Sequence, residues 1–440
     1  MKCFQYILFA LIFSLLSLQS IGCGEERAET TASWTPPELK GRPAGLDPGD
    51  YVLVKERVDG FRATLQQNPS DVKALVSLAQ TFMYEARVSG DHPYYYPASE
   101  DLLDRALAID PRNTEAVLSK ASVLLSLHKF REALPIAQQA VGLAPNLAAA
   151  YGALVDANLE LGNYAEAVKA ADKMVAIRPD LKSYSRVSYL REIHGDEEGA
   201  IEAMQLAVAA GAPRSEEKAW ARTTLGTLYL NQGKLKEARS EYTIASIERE
   251  NYPFALAGIA KVQIAEGATD SAMALLDQAI ALVPEFSFVE AQADIYRAAG
   301  NDRAADSLVA AIEKMLAEDE ASGHNMDREL SLLWAKHGVR LGEAVERAER
   351  ELARRPENID AQDMVAYVLF RAGKAEQAKE YSLKARRMGT QSATMFAHAG
   401  MIEVALGNRG EGNSLLKRAW SLNPHLPKLL AEEIAETTDL

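Results

Sequence analysis

An all-helical solenoid of about ten helix-turn-helix units is predicted for this chain by three observations. Small and apolar residues recur at three- and four-residue spacing, the pattern itself returns about every 34 residues, and Gly or Pro punctuates it at matching places. Thr114 to Leu147 displays one unit: Val117, Ala121 and Leu124 share a face of a first helix, Ala133, Ala137 and Ala140 share a face of a second, and Pro145 ends it. Alanine at those places lets two helix axes approach closely, so the seam of the hairpin can be buried. Each unit covers its open face only against its neighbours, so a chain of 440 residues need not divide into separate globular domains.

From the N-terminus, Lys2 precedes an apolar run from Tyr6 to Leu18, followed by Gln19-Ser20-Ile21-Gly22-Cys23. Residues 1–22 therefore read as an export signal, with a run too short for the roughly 20 residues of a spanning helix. Its end resembles a bacterial lipobox, with Gly22 before the cut and Cys23 as the residue to be lipidated, although Ser20 stands where leucine is usual and Ile21 where a small residue is. The competing readings are an ordinary cleaved signal and an uncleaved anchor, in both of which Cys23 is incidental. The lipoprotein resemblance implies an extracytoplasmic protein anchored by lipid in the bacterial cell envelope, and Gly24 after the cysteine favours the outer membrane. Residues 23–50 are rich in Pro, Gly, Thr and Glu without helical period, and are expected to be a flexible linker behind the lipidated cysteine.

The solenoid is expected over residues 51–440. A capping helix over 51–68 precedes units starting near residues 72, 114, 148, 182, 219, 253, 286, 325, 359 and 393, and a second capping helix covers 427–437. The first unit carries extra residues, Ser89 to Pro97, in which Tyr94, Tyr95 and Tyr96 lie between two prolines; a loop is expected there, its rings either plugging the hairpin end or forming a recognition edge. The second helix of unit seven runs long towards Glu320 before Ser322-Gly323-His324-Asn325 breaks it, and unit eight follows the pattern weakly.

The pattern resembles the tetratricopeptide repeat over residues 51–437, most closely in the unit with Tyr151, Leu154, Gly162, Tyr164, Ala167, Ala171 and Pro179. The resemblance implies a right-handed superhelix whose first helices line a concave groove, and protein or peptide binding there. The family's groove-facing places fall on Met326, Glu329, Leu333, Lys336 and His337 in unit eight, Asp360, Asp363, Tyr367, Phe370 and Arg371 in unit nine, and Thr394, Met401 and Val404 in unit ten. Large apolar residues on a face that should be solvated mark a partner site, so Met326, Leu333, Tyr367, Phe370, Arg371, Met401 and the three tyrosines are the candidate partner-binding residues. The competing reading turns the unit-eight residues into their own seam.

Composition narrows the function further. The formal charge of −14 becomes −15 when Lys2 leaves with the signal, which disfavours nucleic acid because phosphate binders concentrate Lys and Arg on one face. Cys3 and Cys23 are the only cysteines, so the repeat region holds neither a disulfide framework nor a cysteine zinc site. No nucleophile elbow, phosphate loop or zincin helix is present, so no catalytic residue and no cofactor is assigned. Gly407 to Gly412 is glycine-rich but follows no strand, and His194 beside Asp196, Glu197 and Glu198 reads as a solvated turn, so no metal ligand is assigned. The expected function is a non-enzymatic interaction scaffold of the cell envelope. The alternatives are an accessory assembly subunit of a secretion or polymer-export machine and, more remotely, a helical enzyme.

Overall fold

Polar side chains set where the helices begin. Asp71, Asn113, Asp180, Ser215, Asn358 and Ser392 each precede a helix and accept a hydrogen bond from the amide three residues on, satisfying a donor that the helix itself leaves unpaired. The computed structural model describes residues 34–438, and those from Pro36 onward belong to one structural unit. Among the described residues the structure is helical throughout, without strands.

After α1 (Pro48–Gln67) the helices pair in order: α2 (Val72–Ser89) with α3 (His92–Ile109), α4 (Thr114–Ser126) with α5 (Phe130–Leu143), and α6 (Ala148–Glu160) with α7 (Tyr164–Ile177). Next come α8 (Leu181–Ile193) with α9 (Glu197–Ala210), α10 (Glu216–Asn231) with α11 (Leu235–Glu248), and α12 (Pro253–Ala265) with α13 (Thr269–Leu282). The later pairs are α14 (Phe286–Ala298) with α15 (Asp302–Ala321), α16 (Asp327–His337) with α17 (Leu341–Arg354), α18 (Ile359–Arg371) with α19 (Ala375–Ala385), and α20 (Ala393–Ala405) with α21 (Arg409–Leu422). α22 (Lys428–Thr438) follows. The expected all-helical solenoid is thus the observed architecture. Its seams are the alanine seams: Ala121, Ala133, Ala137 and Ala140 are all fully buried. First helices also pack on one another, α4 on α6, α6 on α8 and α16 on α18, which places them on the inner, shorter arc of the winding.

The winding closes on itself. Asn251 donates to the Gly45 carbonyl across 206 residues, Asn358 to the Leu159 carbonyl across 199, Thr390 to the Ile193 carbonyl across 197, and Asn423 to the Leu230 carbonyl across 193. That spacing is about six units of 34 residues, so the turn inside one hairpin meets the turn between hairpins about six units later. Gly162, with φ +79°, lies so close to the later stretch of chain that an added Cβ would stand 2.2 Å from the Glu357 carbonyl carbon and oxygen. Ion pairs reinforce the junctions, among them Arg355 with Glu160 at 2.6 Å and Arg87 with Glu216 at 2.8 Å.

Two expectations are corrected here. The linker does not stay flexible to residue 50: residues 36–47 form an ordered strap ahead of α1, because Arg42 is buried against Glu85 and reaches Asp50 at 2.9 Å, while Arg62 binds Glu38 at 2.7 Å. The tyrosines do not lie on a loop: Tyr94, Tyr95 and Tyr96 are in the first turns of α3, since Pro93 occupies the first turn, where an amide would lack an intrahelical acceptor anyway. Unit eight keeps its alanine seam, with Ala335, Ala344 and Ala348 buried, and adds an ion cluster to it. Buried Asp327 takes Arg347 at 2.8 Å, Arg350 at 2.6 Å and Arg354 at 2.7 Å, and Trp334 lies beneath Arg340, 4.2 Å from its ring centroid. Arg354 also donates to Asn325, whose amide reaches the Leu127 carbonyl, so the break after α15 is tied to the first winding. No helix of the described residues is long and apolar enough to cross a membrane, and Cys23 with the export signal lies outside them.

Candidate functional site

The inner face carries the candidate site, and its two ends differ. At the C-terminal end the groove is covered by the chain's own last helix. Leu430 and Ile434 of α22 pack with Met401, Val404 and Leu416, with Phe370 against the same cluster, while Glu433 accepts from the Tyr367 hydroxyl at 3.0 Å and pairs with Arg371. Tyr367 also stacks on His398, with centroids 4.3 Å apart. Met326 and Leu333 are buried in a core cluster with Leu330, Trp334 and Met364, the alternative that turns unit eight into its own seam. The face expected to be an open, mixed groove is therefore filled: Met326, Leu333 and Met401 are seam residues, and Tyr367, Phe370 and Arg371 hold α22. The family register fixes which side of each first helix points inward, but it carries no information on what folds back over that side.

Tyr94, Tyr95 and Tyr96 are likewise engaged. The Tyr94 hydroxyl donates to the Glu38 carbonyl at 2.7 Å, the Tyr95 hydroxyl accepts from the Lys40 amide at 3.1 Å, and Phe82 packs on the Tyr95 ring, with centroids 5.3 Å apart. Two of the rings thus bind the strap, and Tyr96 turns towards His324. The acidic turn of unit four is structural as well, since Asp196 caps α9 by accepting from the Gly199 amide and the His194 ring contacts the Leu190 carbonyl.

From α6 to α18 the inner face remains lined by charge that keeps some access to water. Lys336 pairs with Glu290 at 2.6 Å and Asp294 at 3.0 Å, with 23% to 33% of each side chain exposed. Across the channel the Tyr189 hydroxyl of α8 donates to Asp360 of α18 at 3.3 Å. Glu329 meets Arg328 at 3.4 Å through one oxygen, while its other oxygen is buried and has no hydrogen-bond partner among the described residues. Burial pushes the carboxyls of Glu160, Glu285 and Asp360 upward, against the partial relief given by Arg355, by the Ser287 amide and then Lys261, and by Arg328 respectively. Glu192 has no such relief: burial, then Asp360 on α18 and Glu197 on α9, push it up to about 7. Sequence reasoning reached Glu329, Lys336, His337 and Asp360 but missed Glu160, Glu192, Glu285, Glu290 and Asp294. The same register, applied to every first helix and read across a closed winding, would have gathered most of them.

Glu192 makes stability depend on pH with a definite sign. The unfolded chain releases this proton near the ordinary 4.5 and the folded chain near 7, so stability falls as pH rises through that window. Glu192→Gln is expected to flatten that segment of the stability profile relative to the parent, and to raise stability at pH 8 by on the order of 1 kcal/mol after allowance for channel water. Denaturant melts of both proteins at pH 5 and pH 8 measure it; parallel profiles would contradict the placement.

Residues 118–181 and 223–285 match the family described as Tetratricopeptide repeat. A DnaJ homolog subfamily C member 7 homolog of Dictyostelium discoideum is 26% identical over 128 residues, which cover 27% of this chain and 24% of that protein. This chain thus spans about a quarter of the length of the curated relative it matches. Among solved structures, a thermophilic TPR protein of Thermus thermophilus is similar with a TM-score of 0.39 and 20% identity, over 44% of this chain and 99% of that one. A human IFIT1 dimer with PPP-AAAA is similar with a TM-score of 0.48 and 14% identity, over 77% of this chain and 80% of that one. A tetratricopeptide repeat protein from Parabacteroides merdae ATCC 43184 has a TM-score of 0.34 and 19% identity, over 59% and 99% of the two chains.

Proposed function

We propose that this chain, which carries tetratricopeptide repeats at residues 118–181 and 223–285, is a non-enzymatic scaffold of the bacterial cell envelope that holds a Lys- and Arg-rich segment of a protein partner in its inner channel. Tetratricopeptide repeats generally mediate protein–protein interaction, and a wound array offers an extended concave surface for it. The observation that carries the choice of partner is Glu192, a half-buried carboxyl on which only other carboxylates act. A cation arriving there would relieve a repulsion the folded chain otherwise bears. The unpartnered oxygen of Glu329 supports the same reading. The envelope location rests on the lipobox-like residues up to Cys23, whose lipidation would anchor the scaffold.

In-cell photocrosslinking tests the reading, with a photoreactive residue placed at position 192 or 290 on the inner face, or at Ile247, which is 75% exposed on α11. One recurrent protein captured from 192 and 290 through a basic segment, with the bait in the membrane fraction and released from it by Cys23→Ala, is the expected result. Capture through an acidic segment, or none from the inner positions, would overturn the channel reading. Capture from Ile247 alone would favour the accessory assembly subunit, for which that exposed apolar side chain is the specific support.

A further inference from the structure

The closure of the winding brings together three side chains that lie far apart in sequence. His92 is the first residue of α3, Asp319 lies in the last turn of α15, and His324 follows in the break beyond it. One ligand atom from each lies within 4.8 Å of the others, with His324 buried and the other two half-buried. We infer that His92, Asp319 and His324 bind a borderline first-row divalent cation, of which Zn²⁺ is the test case, and that the bound ion joins the first winding to the second. The inference stands apart from the partner reading, since none of the three residues is needed for a segment to enter the channel.

The donor set selects the ion class. Two imidazole nitrogens and one carboxylate suit Zn²⁺, Co²⁺ or Ni²⁺, whereas Ca²⁺ and Mg²⁺ call for shells of oxygen. The proton inventory leaves a lone pair available. Ser322 Oγ donates to the Asp319 main-chain carbonyl at 2.7 Å and lies 3.1 Å from His324 Nδ1, so it accepts the proton of that nitrogen. In the neutral ring, Nε2 is then free to coordinate, and Ser322 fixes the tautomer as outer partners of metal-bound histidines do. Tyr96 meets the His324 ring edge-on at 5.4 Å and holds its plane. The local field favours a cation on one side, where Glu285, Glu318 and Glu329 act on Asp319, while His128 and then Lys129 oppose it on the other. Tetrahedral bonds of about 2.1 Å put ligand atoms roughly 3.4 Å apart, so atoms within 4.8 Å of one another need to close by at most about 1.4 Å, a movement within reach of side-chain rotation.

The test uses the full chain, metal-free, titrated with ZnCl₂ by calorimetry and followed by thermal unfolding, beside Asp319→Asn, His324→Gln and His92→Phe. Cys3 and Cys23 offer thiolates elsewhere, and the readout is therefore the difference between the parent and variants that keep both cysteines. The parent is expected to bind one Zn²⁺ that each variant binds at least about tenfold more weakly, and to gain a rise in Tm with Zn²⁺ that the variants lack. Asp319→Asn is isosteric and His92→Phe keeps a ring against Tyr96, so a folding defect in His324→Gln alone does not decide the matter. Equal Zn²⁺ binding and equal Tm shifts in the parent and these two folded variants would overturn the site.

Discussion

Replacing Gly162 with alanine is expected to destabilise the protein by at least about 3 kcal/mol, while the same change at Gly407 costs only about 1 kcal/mol. Both glycines close a first helix with positive φ, +79° and +80°, so both variants bear the left-handed penalty of a Cβ. They differ in what lies beyond. At Gly407 nothing stands within 4 Å of the added carbon, whereas at Gly162 it would meet the backbone of Glu357 and Asn358 at 2.2 to 2.6 Å. Backbone does not yield as a flexible side chain does, so the junction must open, weakening the nearby Arg355–Glu160 pair and the hydrogen bond from the Ile359 amide to the Tyr164 hydroxyl. Urea melts of the two variants compare the costs directly, and equal values would mean that the windings do not touch at this place in solution.

A second large effect is expected at Asp327. Asp327→Ala removes the carboxylate that Arg347, Arg350 and Arg354 share, leaving Arg347 to Glu320 and Arg354 to Glu351, and because Arg350 and Arg354 stay partly exposed a loss of about 2–3 kcal/mol follows. The carboxyl is held below its usual value: burial raises it, but the hydrogen bonds from Arg350 and Arg354 and the charge of Arg354 more than offset that. Its contribution is therefore fully present above about pH 4 and is lost as pH falls further. Asp327→Asn keeps the shape without the charge and is expected to lose the acid dependence together with part of the stability. Equilibrium unfolding of both variants at pH 7 and pH 3.5 measures this. A neutral Asp327→Ala would mean that the arginines find other partners, such as Glu320, which already takes Arg347 at 2.6 Å.

These two residues also mark where the sequence was legible and where it was not. Hairpin architecture is local: an alanine face at Ala133, Ala137 and Ala140 opposite Val117, Ala121 and Leu124 encodes a seam between helices only a few residues apart in sequence. Asp327 belongs to a unit that keeps the hairpin and its buried alanines while adding an ion cluster, and a pattern built on small residues does not register that cluster. What could not be read was everything set by the pitch of the winding. The meeting of Gly162 with Glu357 depends on segments that approach only after several units have stacked, whereas the strap of residues 36–47 rests on Glu85 and Tyr94 of the first unit and carries no helical period to reveal it. The candidate site divides the same way. Lys336 and Asp360 follow from their place in a unit, whereas the cover that α22 gives Tyr367 and Arg371 depends on how far the last helix reaches back.

The contacts across 193 to 206 residues alter how the array must assemble. An open repeat array folds as a string of neighbours, each unit adding its own increment, and loses its ends first. Here the hairpins can still form locally, but each clasp between windings ties off a loop of about 200 residues and bears the chain entropy of that closure. Clasping therefore belongs late in folding, after enough units have stacked to bring the edges together. The return is cooperativity of a kind a linear array lacks: unravelling from the C-terminal end removes Asn423, Thr390 and Asn358 in turn, and each loss frees a turn 193 to 199 residues earlier in the chain. The two ends of the body share one melting event instead of fraying separately.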